Sequence, residues 1–138
     1  MSRILAIDYG TKRVGLATTD PLKIIASALE TVHSKDVIEF LKAYLEVEEV
    51  EAFVVGMPVN LDGEDTNNTS HVKGFVKKLQ ATFPDIPIHL HDERFTSKIA
   101  LQAMISSGYS KKDRRVKGNI DKISAVIILQ SYMEKEGI

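Results

Sequence analysis

Apolar residues along this chain change rhythm in a way that separates strands from helices. Ile4, Leu5, Ala6 and Ile7 make a short continuous apolar run, which predicts a buried strand over residues 3–7. A second run over residues 14–18 follows a glycine-bearing polar stretch at 8–13, so the two are expected to pair as a hairpin. A weaker pattern over 24–32 predicts a third strand, after the loop marked by Pro21. From Ser34, a good N-cap residue, Val37, Ile38, Leu41, Tyr44 and Leu45 recur at helical spacing, and a helix is expected over about 35–48. The strand Phe53-Val54-Val55 runs into a loop carrying Gly56, Pro58 and Asp62-Gly63. Val72, Phe75, Val76 and Leu79 then mark a second helix, which Pro84 stops, and residues 86–90 form a fifth strand. Thr96 or Ser97 caps a helix carrying Ile99, Ala100, Ala103 and Met104, closed by Gly108. The last helix covers about 119–136, with Ile120, Ile123, Ile127 and Met133 among its apolar positions, and Gly137 ends it.

Three strands followed by alternating helices and strands specify an α/β fold: a mixed five-stranded sheet flanked by helices. At 138 residues, residues 1–138 read as a single domain with one core. The composition, 43% hydrophobic and 27% charged, is that of a globular protein and excludes a disordered chain. Without cysteine there is no disulfide, no thiolate metal site and no cysteine nucleophile. Asp8 interrupts the first apolar run before a signal-peptide core forms, and no run approaches roughly 18 apolar residues. A cytoplasmic protein with no membrane association is therefore expected.

The net charge of −1 excludes a uniformly basic nucleic-acid binder, so any such role must rest on local charge. Five cations (Lys111, Lys112, Arg114, Arg115 and Lys117) crowd into residues 111–117, and Lys12 and Arg94 lie beside two acids of interest. Asp8 and Glu93 each follow a predicted strand, at the carboxyl ends where open α/β sheets place their sites. Asp121 lies near the start of the last helix, with the small Ala125 one turn later allowing close packing on the sheet. Clustered carboxylates repel one another and need a cation; without cysteine, hard oxygen donors favour Mg2+ or Mn2+, and phosphate chemistry follows. Each residue also has an ordinary reading. Asp8 suits a hairpin turn, Glu93 a surface ion pair with Arg94, and Asp121 a helix start. The 111–117 run suits a solvated loop, and His89 and His91 read as packing or surface residues rather than a metal pair.

Four ordered segments change that balance. Asp8-Tyr9-Gly10-Thr11-Lys12-Arg13-Val14-Gly15, Gly56-Met57-Pro58-Val59-Asn60-Leu61-Asp62-Gly63, His91-Asp92-Glu93-Arg94-Phe95-Thr96, and Asp121-Lys122-Ile123-Ser124-Ala125-Val126-Ile127-Ile128-Leu129 together resemble the YqgF family across essentially the whole chain. These are bacterial homologues of Holliday-junction resolvases, also described as nucleases that mature the precursor of small-subunit ribosomal RNA. The resemblance implies a ribonuclease H-like fold and an acidic triad at Asp8, Glu93 and Asp121, serving as catalytic and metal-binding residues. It also implies that Lys12, Arg94, Lys111, Lys112, Arg114, Arg115 and Lys117 pair phosphates, and that the loop with Asn60 approaches the cut strand. RNA is the favoured partner, with branched DNA and ribosome association also implied; the oligomeric state stays open. The junction resolvases usually carry a second acid on the last helix, and here Lys122 and Ser124 follow Asp121 instead.

Two rival readings remain open at this point. The segment from Asp8 to Gly15 also resembles the first phosphate motif of actin-like kinases, although 138 residues supply only one of the two lobes such enzymes need. A non-catalytic nucleic-acid or ribosome-binding module of the same fold is the other.

Overall fold

The computed structural model describes residues 2–57, 69–92 and 117–138. Five strands form one sheet: β1 (Arg3–Tyr9), β2 (Arg13–Thr19), β3 (Ala26–His33), β4 (Val50–Met57) and β5 (Ile88–Asp92), in the spatial order β3-β2-β1-β4-β5. The hairpin pairs β1 with β2 and β2 with β3 antiparallel, whereas β1–β4 and β4–β5 are parallel. The sheet is therefore mixed, with β1 at its centre. Three helices complete the described chain: α1 (Val37–Val47), α2 (Thr69–Thr82) and α3 (Lys117–Glu136). The helix expected between Thr96 and Gly108 lies outside the described residues.

Alternation along β1 assigns the two faces of the sheet. Leu5 and Ile7 join Val14, Leu16, Phe53 and Val55 in a core closed by Val37, Ile38 and Leu41 of α1 and by Val72, Phe75 and Leu79 of α2. Ile4 and Ala6 look the other way and meet Ala17, Val54 and, from α3, Ala125, Ile128, Leu129, Tyr132 and Met133. Each fully buried Leu, Ile, Val or Phe contributes about 1.5–3 kcal/mol, so this two-sided burial holds β1 firmly. Small residues at Ala6, Ala17 and Ala125 let α3 approach the sheet closely.

Several expectations shift in detail. β1 extends two residues further than its apolar run, because Asp8 pairs with Gly15 and Tyr9 with Val14; Asp8 is a strand residue, not part of the turn. The turn is thereby confined to residues 10–12. Gly10 is required there, since a Cβ at this position would lie 2.6 Å from the Arg13 carbonyl oxygen. Ser34 does not cap α1. Its Oγ donates instead to the Thr11 carbonyl at 2.6 Å, tying the hairpin turn to the chain leading into the helix, and Asp36 occupies the N-cap without a side-chain capping bond. The buried face of α3 includes Met133, as read in the sequence, but otherwise falls on Ala125, Ile128 and Leu129, whereas Ile123 and Ile127 are only half-buried. Gly137 does end that helix, in the left-handed region at φ 73°.

Candidate functional site

Asp8 shares a face with Ile4 and Ala6, which is the face covered by α3. Its carboxylate is half-buried near the end of the central strand. Across the sheet its paired neighbour on β2 is Gly15. On β4 the Ile7–Val55 pair places Gly56 next in register, and Gly56 in turn pairs with His91 of β5. Asp8 therefore sits between two glycines, so neither residue directly beside it in the sheet carries a side chain. That row leads to the end of β5, which Glu93 follows directly in the chain.

The direction of α3 determines which of its ends meets Asp8. Met133, Glu134 and Ile138 line a surface cavity with Ile24, Ile25 and Ala26, at the beginning of β3. Burial first, and then the carboxylates of Glu136 and Glu51, push the Tyr132 phenol above its usual pKa; Glu51 lies at the beginning of β4. The C-terminal part of the helix thus lies over the starts of the parallel strands. Position 121 is twelve residues back from Met133, about 18 Å along the axis. Ile4 and Asp8 are about 13 Å apart along β1, so α3 carries position 121 towards the edge where Asp8 stands. Position 121 also lies one helical turn before Ala125, which is fully buried against the sheet.

Between them lies Ser124, 1% exposed, whose Oγ is buried with no hydrogen-bond partner among the described residues. A buried hydroxyl of this kind is costly unless a partner completes it. The Asp8 carboxylate, the acid-bearing position on the facing helix and the Ser124 hydroxyl are, by type, a set of hard oxygen donors towards one end of the sheet. Such a set suits Mg2+ or Mn2+ rather than a thiophilic ion. Among the described residues no group of three or more His, Cys, Asp or Glu is gathered closely enough to hold a metal by itself.

The other expected site residues divide between the described and undescribed parts of the chain. Lys12 is exposed in the hairpin turn beside β1, and its carbonyl accepts the Ser34 N–H at 3.1 Å. Lys117 opens α3 rather than ending a loop. Glu93, Arg94, Asn60, Lys111, Lys112, Arg114 and Arg115 lie outside the described residues. His89 and His91 have structural roles: the His89 ring packs against Tyr132 with centroids 5.5 Å apart, and His91 Nε2 lies 2.9 Å from Ser131 Oγ. Together they tie the edge strand to α3. Sequence reasoning missed the flanking role of Gly15 and Gly56, which depends on strand register, and saw Ser124 only as the absence of a second acid.

A five-stranded mixed sheet with an acid near the end of its central strand, facing a C-terminal helix, is the architecture of a ribonuclease H-like protein. Solved structures bear this out. The fold is similar to that of T. thermophilus RuvC in complex with Holliday junction substrate, with TM-score 0.55 and 19% identity over 99% of this chain and 97% of that one. It is also similar to the fowlpox virus resolvase in complex with Holliday junction DNA, with TM-score 0.59 and 12% identity over 97% and 98% of the two chains.

The RuvX family model, described as Holliday junction resolvase, matches residues 2–135, and the chain belongs to that family. A protein of Amoebophilus asiaticus described as "Putative pre-16S rRNA nuclease" is 53% identical over 96% of this chain and 94% of its own length. One of the same description from Phocaeicola vulgatus is 49% identical over 99% and 98%. The resemblance first read from the four segments is thereby borne out. No helix among the described residues is long and apolar enough to cross a membrane.

Proposed function

We propose that this protein is a metal-dependent endonuclease that hydrolyses phosphodiester bonds in the precursor of the small-subunit ribosomal RNA, acting in the cytoplasm. The observation that carries the reading is the placement of Asp8, near the end of the central strand, between Gly15 and Gly56 and on the face covered by α3. Family membership and the description shared by relatives about half identical over nearly the whole chain support a nuclease and favour this RNA.

In this reading Asp8, Glu93 and Asp121 form the acidic site and hold Mg2+ or Mn2+, with Asp8 and Asp121 as direct ligands. A bound divalent cation would neutralise charge on the phosphoryl oxygens and acidify water, so no protein nucleophile is needed. Glu93 binds the ion or orients the attacking water. Gly15 and Gly56 leave room beside Asp8 for a phosphate to approach the strand ends. Lys12, Arg94 and the cations at 111–117 pair with backbone phosphates on either side, and the loop with Asn60 borders the cut strand.

A panel of labelled precursor ribosomal RNA, unrelated single-stranded RNA and a four-way DNA junction tests the substrate. Preferential magnesium-dependent cutting of the precursor is expected. Preferential symmetric cutting of the junction would reassign the protein to the activity named in the family description. Binding of the precursor without cutting of any substrate would establish a non-catalytic module instead.

A further inference from the structure

The two helices on the face opposite α3 differ sharply in charge. α1 carries Glu39 and Glu46 against Lys42, which lies 3.4 Å from Glu39. α2 carries Lys73, Lys77 and Lys78 and no carboxylate among its fourteen residues. All three lysines are exposed, and neither Lys77 nor Lys78 forms an ion pair with a described residue. This is a concentrated positive surface on a molecule whose net charge is −1.

Its position relates it to the acidic site. The Tyr9 ring, next in the chain after Asp8, stacks on Phe75 with centroids 4.4 Å apart and an interplanar angle of 19°. The second turn of α2 is thus fixed at the same end of β1 as Asp8, on the opposite face. Lys73 lies just before that contact, and Lys77 one turn further along, about 6 Å away along the helix axis.

Gly74 adds an independent observation. It lies within α2, exposed, and a Cβ built on it would meet nothing within 4 Å. A mid-helix glycine weakens a helix relative to alanine, and neither packing nor a positive φ accounts for this one. Ser70, Gly74 and Ala81 keep the outer surface of α2 low between its lysines, so a bulky polyanion can approach the helix backbone closely.

We infer that the outer face of α2, built from Lys73, Gly74, Lys77 and Lys78, is a second phosphate-backbone track that carries the nucleic-acid strand away from the acidic site over the edge of the sheet. The inference deepens the nuclease reading and rests on it for the identity of the strand. Contacts of this kind position a substrate without reading its sequence, and their signature is salt dependence.

The test is binding of a labelled single-stranded RNA over a range of salt concentrations, with calcium in place of magnesium, alongside magnesium-dependent cleavage by the wild type. Each phosphate contact on a single strand adds roughly 0.7 to the slope of log affinity against log salt, so Lys77→Gln/Lys78→Gln should reduce that slope by about 1.4. Gly74→Glu keeps every lysine, puts its Cβ in open space and improves helix propensity, so a weakening of RNA affinity by this variant, with urea unfolding at the wild-type midpoint or above, reports the loss of the track. Lys42→Gln on α1 makes a single charge change away from the track and should leave the slope unchanged. An unchanged slope in the double variant, together with unchanged affinity in Gly74→Glu, from a wild type that cleaves RNA, overturns the track and leaves the nuclease reading intact. A wild type that neither binds nor cleaves RNA overturns both.

Discussion

Replacing Ala125 by leucine probes the contact that brings α3 and the sheet together. Ala125 is fully buried among Ile4, Ala6, Ala17 and Val54, and three of these five positions are alanine because the helix lies close to the strands. An isobutyl group in place of the methyl adds three carbons at a position that is wholly buried against the sheet, so α3 is expected to lift or slide. Overpacking of this kind costs about 1–3 kcal/mol. The displacement falls one turn from position 121, between the two acids that the proposed site requires to act together. A shift on the order of 1 Å at a reacting centre lowers rates by about 10²-fold. Urea unfolding and cleavage of precursor RNA at saturating magnesium, well below the melting temperature, separate the two effects. Ile128→Val serves as the control: it lies on the same helix and also on the sheet, loses only a methylene, and should cost about 0.5–1.5 kcal/mol while cleaving normally. The reasoning is refuted if Ala125→Leu loses stability as expected yet cleaves at the wild-type rate, because the seating of α3 would then not position the site.

Two further expectations follow from local geometry. Gly10→Ala drives a Cβ to 2.6 Å from the Arg13 carbonyl oxygen and should lower stability by about 1–3 kcal/mol in urea unfolding, loosening the turn that follows β1. The Tyr132 phenol is pushed above its ordinary value of 10.0, chiefly by burial, so its contribution to stability is complete below about pH 10 and is lost as pH rises through the higher folded value. Stability measured by urea unfolding should therefore fall more steeply above pH 10 in the wild type than in Tyr132→Phe.

Much of this fold could be read from the sequence because its strands are apolar runs buried on both faces. Residues 3–7, 14–18 and 53–55 carry the pattern, and the helical spacing of Val37, Ile38 and Leu41 or of Val72, Phe75 and Leu79 leaves little ambiguity. The differences arise where tertiary pairing overrides local preference. Asp8 favours turns as an isolated residue, yet pairing with Gly15 draws it into β1. Ser34 is a good cap by type, but its hydroxyl finds the Thr11 carbonyl, 23 residues away in the hairpin turn, before it finds the helix. The buried stripe of α3 includes Ser124 because the helix turns its small side chains to the sheet, which an apolar-residue search does not see. The place of Asp8 near the end of a strand was legible. Its two glycine neighbours were not, since Gly15 and Gly56 flank Asp8 only through strand register.

The most direct test of the central claim is cleavage of precursor ribosomal RNA in magnesium by the wild type and by Asp8→Asn, with RNA binding followed in parallel. The substitution keeps size and shape while removing the charge that a metal ligand must supply. Cutting by the wild type that falls by on the order of 10²–10⁴-fold in Asp8→Asn, with RNA still bound, is the predicted result. Equal cutting by both proteins would contradict the account, because the carboxylate between the two glycines would then have no part in the chemistry.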